Sequence, residues 1–373
     1  MGYLTSKFLR DIGFVNIKGK DELSFVVNRI GFNLARRLGA LMDKLADDET
    51  YAREFYDVKN TNLDVSLTVS NAIHYDYFVH VLEYLEENVD EIGDNILFLG
   101  CDCGIEPCFL AKLKPNATIT AVDITKAAIK NGQELASRLD VKVNFQCVSY
   151  KDVKSTFDTI ISFRFAHEVT SCTKSSEHEF DRLDNKRMFH KVEVLPVAEK
   201  IGKLLSEYGV LISLERFWEI RQLAWMDALN SNGVETIALE EVRGSQNEKF
   251  ILTFAQKYPQ DLPYEVIWHE YYSQNCDYSA PQFKGIQSEI FISLKAGKLI
   301  NGYYAVKDNK QYGKMAVYRH RYDDTALIVE QGDLSMVESS VYDISDMDLI
   351  LSKIEEYAAL CRNSNFDVVA IED

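Results

Sequence analysis

The run Asn95-Ile-Leu-Phe-Leu-Gly-Cys-Asp-Cys-Gly104 sets a glycine turn directly after a short apolar stretch, Ile96 to Leu99. Glycine allows the backbone of such a turn to approach a ligand closely. About twenty residues further on, a second strand-like run, Thr118 to Val122, ends in Asp123. A lone carboxylate at the tip of a second strand, at that distance from a glycine turn, is placed to accept both hydroxyls of a ribose. Helix capping is the competing role for Asp123, because Thr125 beside it can cap equally well. A third cluster, Ser162-Phe-Arg-Phe-Ala-His167-Glu168, joins an imidazole to a carboxylate. His167 can act as a general base, its reference pKa of about 6.5 lying near operating pH, or serve as a structural histidine.

The elements that must hold these groups follow from periodicity. Residues 20 to 90 read as helices: Leu23, Val26, Val27, Ile30, Leu34, Leu38, Leu41 and Leu45 form one apolar stripe. A second stripe, Ile73, Tyr77, Val81 and Leu85, ends in an acidic patch (Glu83, Glu86, Glu87, Asp90, Glu91, Asp94) that reads as solvated surface. From residue 95 strands and helices alternate. Strands are expected at 96–99, 118–122, Val141 to Val148, Asp158 to Phe163 and Val210 to Leu214. Pro107 suits the start of the first crossover helix, about 106–113, and Thr125 the start of the second, which reaches Leu139. A helix carrying Val194, Val197, Ile201, Leu204 and Leu205 precedes the fifth strand, and another, roughly Trp218 to Leu229, follows it. A last pair of strands, Val234 to Val242 and Phe250 to Ala255, is joined by the polar turn Arg243-Gly-Ser-Gln-Asn247. Alternation implies a parallel sheet covered on both faces, but five polar residues cannot cross over, so the last strand must run antiparallel.

This order resembles a class I S-adenosylmethionine-dependent methyltransferase, whose fold is α/β: a seven-stranded Rossmann-like sheet with a terminal antiparallel hairpin. The matching pieces are the Gly100 loop, Asp123, Phe157-Asp-Thr-Ile-Ile-Ser162, Tyr208-Gly-Val-Leu-Ile-Ser213 and the hairpin strands from Gly233 and Lys249. Three parts follow: an N-terminal helical cap, 1–93; the methyltransferase-like domain, 94–258; and an α+β module, 259–373. The linker Gln256-Lys-Tyr-Pro-Gln-Asp-Leu-Pro263 closes the core. Beyond it lie strand candidates at Glu289–Leu294, Gly302–Val306, Met315–Arg319 and Ala326–Val329, a helix with Leu349, Ile354, Tyr357 and Leu360, and a terminal run, Asp367 to Ile371.

The resemblance implies S-adenosylmethionine as cofactor. It assigns Gly100, Cys101, Asp102 and Gly104 to the methionine end, Asp123 to the ribose, and Ile124, Ser149 and Tyr150 to the adenine. Phe163, where the fourth strand ends, joins the cofactor-contacting group, and His167 and Glu168 stand where the family places catalytic groups. The chain departs from the family pattern three times: Phe98 replaces an acid, Asp102 a glycine and Ser149 an acid. Asp102 is expected to supply the carboxylate that Phe98 has removed, pairing with the methionine ammonium. The resemblance thus implies a methyltransferase acting on a small molecule or a protein side chain. The alternative is a catalytically inactive, methyltransferase-like binding or regulatory protein.

The chain has 373 residues, 46% hydrophobic and 27% charged, which is ordinary for a soluble protein with a large core. Its 41 basic and 58 acidic residues give a net charge of −17, which argues against grip on a phosphate backbone. The acid-or-amide, Pro, Pro, aromatic motif of amino-directed nucleic-acid methyltransferases does not follow the fourth strand. No run is long enough for a membrane span. Seven cysteines, three of them crowded at Cys101, Cys103 and Cys108, suggest reduced thiols and a cytoplasmic setting. The polar insert 170–190 carries His178, Glu179 and His190 without the paired short spacings of a metal site, so no metal is expected. Self-association, the substrate and its accepting atom stay open, as does transfer of another part of the cofactor than its methyl.

Overall fold

The computed structural model describes residues 2–17, 22–47, 51–170, 183–243, 249–257, 264, 267–268, 271–272, 296–320, 324–332 and 337–371. Seven strands form the larger sheet: β1 (Asn95–Leu99), β2 (Thr118–Asp123), β3 (Asn144–Cys147), β4 (Phe157–Phe163), β5 (Leu205–Glu215), β6 (Glu235–Arg243) and β7 (Lys249–Gln256). Their order is β3-β2-β1-β4-β5-β7-β6. β1 pairs in parallel with β2 (Phe98 opposite Ala121) and with β4 (Phe98 opposite Ile161), while β7 runs antiparallel to both β5 and β6. Ile96 to Leu99 are buried without alternation because helices cover both faces. The chain leaves β1 toward β2 and β3, then returns to its other side with β4. That reversal opens a crevice at the carboxyl ends of β1 and β4, where open parallel sheets bind ligands.

The crossover helices are α6 (Ile105–Leu113), α7 (Lys126–Leu139), α9 (Leu183–Leu204) and α10 (Glu219–Asn230), with the short α8 (Ala166–Val169) following β4. Several boundaries differ from the periodicity reading. β3 is shorter than 141–148. β5 begins at Leu205, and Tyr208 turns inside it at φ 72°. Pro107 is the third residue of α6, behind Gly104 as N-cap at φ 82°. Thr125 is the N-cap residue of α7, but its side chain does not cap; its N–H donates to Asp123 instead.

Among the described residues, five α-helices precede the sheet: α1 (Tyr3–Asp11), α2 (Glu22–Ile30), α3 (Phe32–Asp47), α4 (Ala52–Lys59) and α5 (Leu63–Glu87). The stripe from Leu23 to Leu45 is not one continuous face. Gly31, at φ 83°, separates α2 from α3, and Leu23 is exposed. The acidic patch is not all solvated either. Glu83 accepts from the Gly2 N–H at 2.7 Å, and Glu86 accepts from Leu4 N, Thr5 N and the Thr5 hydroxyl. Carboxylates that oppose the α5 dipole thus satisfy the amino end of α1. Phe8 and Leu9 of α1 then pack with Leu82, Leu85 and Phe109 in one core, which Phe98 shares. The opposite face of the sheet is covered by Val194, Val197 and Ile201 of α9 and Trp225 of α10.

Residues 1–172 and 191–259 form one compact unit; residues 173–190 and 260–373 form another. In the second unit β8 (Ala296–Lys307), β9 (Lys310–His320), β10 (Thr325–Gln331), β11 (Val337–Asp343) and β12 (Asp367–Ala370) make an antiparallel sheet ordered β11-β10-β9-β8-β12. Helix α11 (Met347–Asn363) packs Ile350 and Ile354 against Met315, Val317 and Ile328. β11 was not anticipated, and the strand expected at 289–294 lies outside the described residues. Among the described residues, no helix is long and apolar enough to cross a membrane.

Candidate active site

The glycine loop closes on itself and on β2. Cys101 N–H donates to Val122 O at 3.1 Å, and Gly104 N–H to Cys101 O at 2.8 Å. Gly100 is left-handed (φ 65°), and a Cβ there would lie 2.6 Å from the Phe165 ring; one at Gly104 would meet Phe145 at 2.6 Å. The two glycines are thus already required by aromatic packing. Asp102 is left-handed too (φ 43°), a conformation that Asp tolerates better than most residues. Burial pushes the thiols of Cys101, Cys103 and Cys108 up, so this cluster stays protonated and inert.

Asp123 holds the loop. Its Oδ2 accepts the Asp102 N–H at 3.1 Å and its Oδ1 the Thr125 N–H at 2.7 Å. Each oxygen has a further lone pair. Burial raises the carboxyl above its usual range, against those two N–H bonds, and the Asp102 charge adds to the rise. Ile124 next to it is 77% exposed, an apolar side chain beside a ribose-type acid. Ser149 is turned inward on its own chain: its hydroxyl accepts from Lys151 N–H. The Tyr150 ring stands edge-on to Phe165 at 5.2 Å.

Asp102 does not wait for a ligand's ammonium, because it already holds one. The Lys59 ammonium from the end of α4 pairs with Oδ2, and Asn60 Nδ2 donates to Oδ1 at 3.0 Å. Burial opposes the Asp102 charge, but Lys59 and Asn60 outweigh it and hold the carboxyl below its ordinary range. The same pairing lifts Lys59 above its own, against burial. Ser66 and Asn131 brace Asn60 through bonds of 2.8 and 3.1 Å. Nothing in the spacing of residues 59 and 60 signals this role; only the tertiary fold brings them to the loop.

The other expected cofactor residue that lies elsewhere is Phe163. It ends β4 in the core with Phe98 and Leu252. Arg164 follows at φ 55°, its N–H bonded to Leu214 O at 2.7 Å, and this left-handed step brings Phe165 rather than Phe163 onto the glycine loop.

Helix α8 then presents His167. Glu215, the last residue of β5, is fully buried and accepts the N–H groups of Ala166 and His167 at 3.0 and 3.1 Å. It also accepts the Ser162 hydroxyl at 3.1 Å and stands 2.6 Å from His167 Nδ1. On the other side of the ring, Nε2 lies 3.8 Å from Glu168 Oε1, and the Tyr56 hydroxyl from α4 donates to that oxygen at 3.4 Å. Burial, then the Glu168 charge, push the Tyr56 phenol up to about 12, so it remains a donor. His167 and Glu168, read together from the sequence, do stand together; Glu215 and Tyr56 were missed. Glu215 looked like an ordinary strand end, and Tyr56 is far away in the chain.

Of the three insert residues considered for a metal, His178 and Glu179 lie outside the described residues, and His190 is buried with its ring 5.2 Å from Phe189.

Residues 91–256 match a family described as a methyltransferase domain. The mitochondrial ubiquinone biosynthesis O-methyltransferase of Saccharomyces cerevisiae is 29% identical over 106 residues, covering 27% of this chain and 34% of that protein. An uncharacterized protein of Synechococcus sp. is 28% identical over 192 residues, 46% of this chain and 44% of its own. The chain therefore spans between a third and a half of the length of these curated relatives. Among solved structures, magnesium protoporphyrin IX methyltransferase from Synechocystis PCC 6803, with bound SAM, is 14% identical at a TM-score of 0.39, covering 65% of this chain and all of that one. The strand order with its one antiparallel strand and the match over 91–256 agree: residues 91–256 carry a Rossmann-like methyltransferase domain, which supports S-adenosylmethionine as cofactor.

Proposed function

We propose that this chain transfers a methyl group from S-adenosylmethionine to a small molecule or a protein side chain, at the carboxyl ends of β1, β2 and β4. The observation that carries the reading is Asp123. Its two oxygens are aimed by the backbone N–H groups of Asp102 and Thr125, and each retains a lone pair for a ribose hydroxyl. Ile124, exposed beside it, offers an apolar face to the adenine, and Tyr150 a ring at its edge. The residues present fit the nucleoside half of the cofactor in this way. At the methionine half, Lys59 and Asp102 form a neutral pair that can exchange partners with a zwitterion.

When bound, the cofactor supplies an electrophilic methyl on a sulfonium. The chain's own part is positioning, which alone supports an in-line displacement, and removal of a proton where the acceptor has one to lose. His167, held by Glu215 and faced by Glu168, suits that second task. The O-methyltransferase name of the yeast relative points the same way.

Calorimetry with S-adenosylmethionine and S-adenosylhomocysteine tests the reading. Both bind the wild type, and Asp123→Ala weakens both at least tenfold, because hydrogen bonds to a charged group contribute about 1.5–3 kcal/mol. Absence of heat with either ligand sinks it.

A further inference from the structure

We infer that the acceptor is a small molecule bearing an oxyanion, a carboxylate or a phosphate, and that Arg164, Arg216 and His74 Nε2 form the site that holds this group. The inference rests on the methyltransferase reading above and narrows its substrate class.

His74 carries two costs that packing does not explain. Inside the 25-residue helix α5 its backbone leaves the helical region (φ −127°, ψ 24°), and the helix kinks there. Helix kinks have identifiable causes, yet α5 contains neither proline nor glycine. His74 Nδ1 is also buried without a hydrogen-bond partner, which native interiors rarely tolerate. The residue as a whole is only half-buried, so Nε2, which is not sealed in this way, is the ring nitrogen left to meet a ligand. An oxyanion at Nε2 selects the tautomer that carries the ring proton there.

Three cations from three elements converge on that ring. Burial first, then the charges of Arg164 after β4, Lys59 at the end of α4 and Arg216 after β5, hold His74 well below its usual range, so it is neutral. Among the described residues, no acid is among the groups that shift it. Such a concentration runs against a chain whose net charge is −17. The acids of this region are already engaged: Asp102 by Lys59 and Asn60, Glu106 by the Tyr77 hydroxyl, Glu215 by Ser162 and the start of α8. Arg164 lies over the rings of Tyr77 and Phe250 at 5.4 and 5.9 Å, which fixes its guanidinium. Its left-handed backbone is strain of the kind that collects at ligand clamps. Arg216 is exposed and Arg164 half-buried, so a small ligand can reach both. Guanidinium forks match the paired oxygens of a carboxylate or phosphate.

Position assigns this site to the acceptor and not to the cofactor's own carboxylate. Neighbouring strands lie about 4.8 Å apart, which puts β4 and β5 about 10 and 14 Å from β2 and its Asp123. The cofactor's amino-acid end is a neutral zwitterion, and at the glycine loop it meets a neutral pair, Lys59 and Asp102. Arg164 and Arg216 add positive charge beyond that, beside α8, where an acceptor must stand. A small anion feels this local cluster, whereas an acidic protein surface is repelled by the whole chain.

Calorimetry on the full chain saturated with S-adenosylhomocysteine tests the site, with benzoate, phenyl phosphate and neutral benzamide as probes. Benzoate or phenyl phosphate should bind at least tenfold more tightly than benzamide, and the tighter of the two identifies the oxyanion. Arg216→Gln, at an exposed position, should weaken that probe at least tenfold and leave S-adenosylhomocysteine affinity unchanged. In nitrogen-15 histidine spectra, the His74 signal, assigned by its loss in His74→Gln, should show the proton on Nε2 once the probe is bound. Equal binding of the anions and benzamide, or an anion whose affinity Arg216→Gln does not alter, overturns the inference. So does an anion that binds only when S-adenosylhomocysteine is left out, because the site then belongs to the cofactor's carboxylate. A wild type that takes up no S-adenosylhomocysteine removes the methyltransferase reading and the inference with it. Uptake of S-adenosylhomocysteine without a preference for anions removes only the acceptor class.

Discussion

Replacing Asp102 by Asn is the most informative change to the candidate site. The Lys59 side chain is only 8% exposed and that of Asp102 32%, so the substitution strands a desolvated ammonium beside a neutral amide. Breaking a buried pair by removing one partner costs about 3–5 kcal/mol. The partial exposure of Asp102 admits solvent and places this case at the low end, about 3 kcal/mol. Asn tolerates the left-handed backbone at 102 as Asp does, so no conformational cost is added. At about 2–4 °C per kcal/mol for a unit of this size, the melting temperature falls by roughly 6–12 °C. Lys59→Met removes the buried charge and leaves Asp102 with Asn60 and solvent, at about 1 kcal/mol. The double variant carries neither charge and should melt close to Lys59→Met, giving a coupling energy of about 2 kcal/mol or more. Urea unfolding of the four proteins measures this cycle. Strictly additive losses, or an Asp102→Asn protein as stable as the wild type, would refute the claim that the helical segment is clamped to the glycine loop through this pair.

Three other outcomes follow from the same geometry. Because the Asp102 carboxyl is held below its usual range, its stabilising share is present above about pH 4 and disappears as pH falls through the folded value; melts from pH 7 to 3 should lose less in Asp102→Asn than in the wild type. Glu106 goes the other way. Burial pushes it from 4.5 up to about 7, the Asp102 charge adding and the Tyr77 hydroxyl at 3.2 Å opposing. Its favourable share, complete below pH 4.5, is lost as pH rises through 7, so Glu106→Gln should gain about 2–3 kcal/mol at pH 8 and nothing at pH 4. Gly100→Ala should cost about 2–3 kcal/mol and weaken cofactor binding, since the new methyl both strains a left-handed residue and meets Phe165; recovery in Gly100→Ala/Phe165→Ala separates the two causes.

How much of this was legible in the sequence depends on the distance over which each group acts. The strands β1, β2, β4 and β5 carry short, mostly apolar and buried runs because both sheet faces are covered, and such runs are visible in one dimension. The direction of β7 followed from a turn too short to cross over, which is a local fact. Asp123 was legible because its partners, the loop and the helix start, lie within about twenty residues of it. Phe163 packs in the core while Phe165 meets the glycine loop, because one left-handed residue, Arg164, re-aims the chain, and nothing in an arginine announces φ 55°. The break at Gly31 was likewise hidden inside an unbroken apolar periodicity. Glu83 and Glu86 read as surface because their partners sit at the other end of the helical segment, more than 80 residues away.

The residues that were not legible share a logic. Tyr56, Lys59 and Asn60 come from α4 and its end, yet they reach Glu168, Asp102 and, through Asn131, helix α7. A lysine brought from α4 neutralises the acid that stands in the glycine loop, and a tyrosine from the same helix steadies Glu168 in front of the proposed base. Helix α4 and its end are therefore tied into the hydrogen-bond network of the glycine loop and α8. The consequence can be checked directly. A chain beginning at residue 91 keeps every strand of the sheet but leaves Asp102 unpaired, Glu168 without its donor, and the core lacking Phe8, Leu82 and Leu85. Such a chain should expose that apolar face, aggregate or bind the dye ANS, and take up no S-adenosylmethionine. Should it instead fold cooperatively and bind the cofactor like the full chain, the glycine loop would be self-sufficient and the role assigned here to α4 would be wrong.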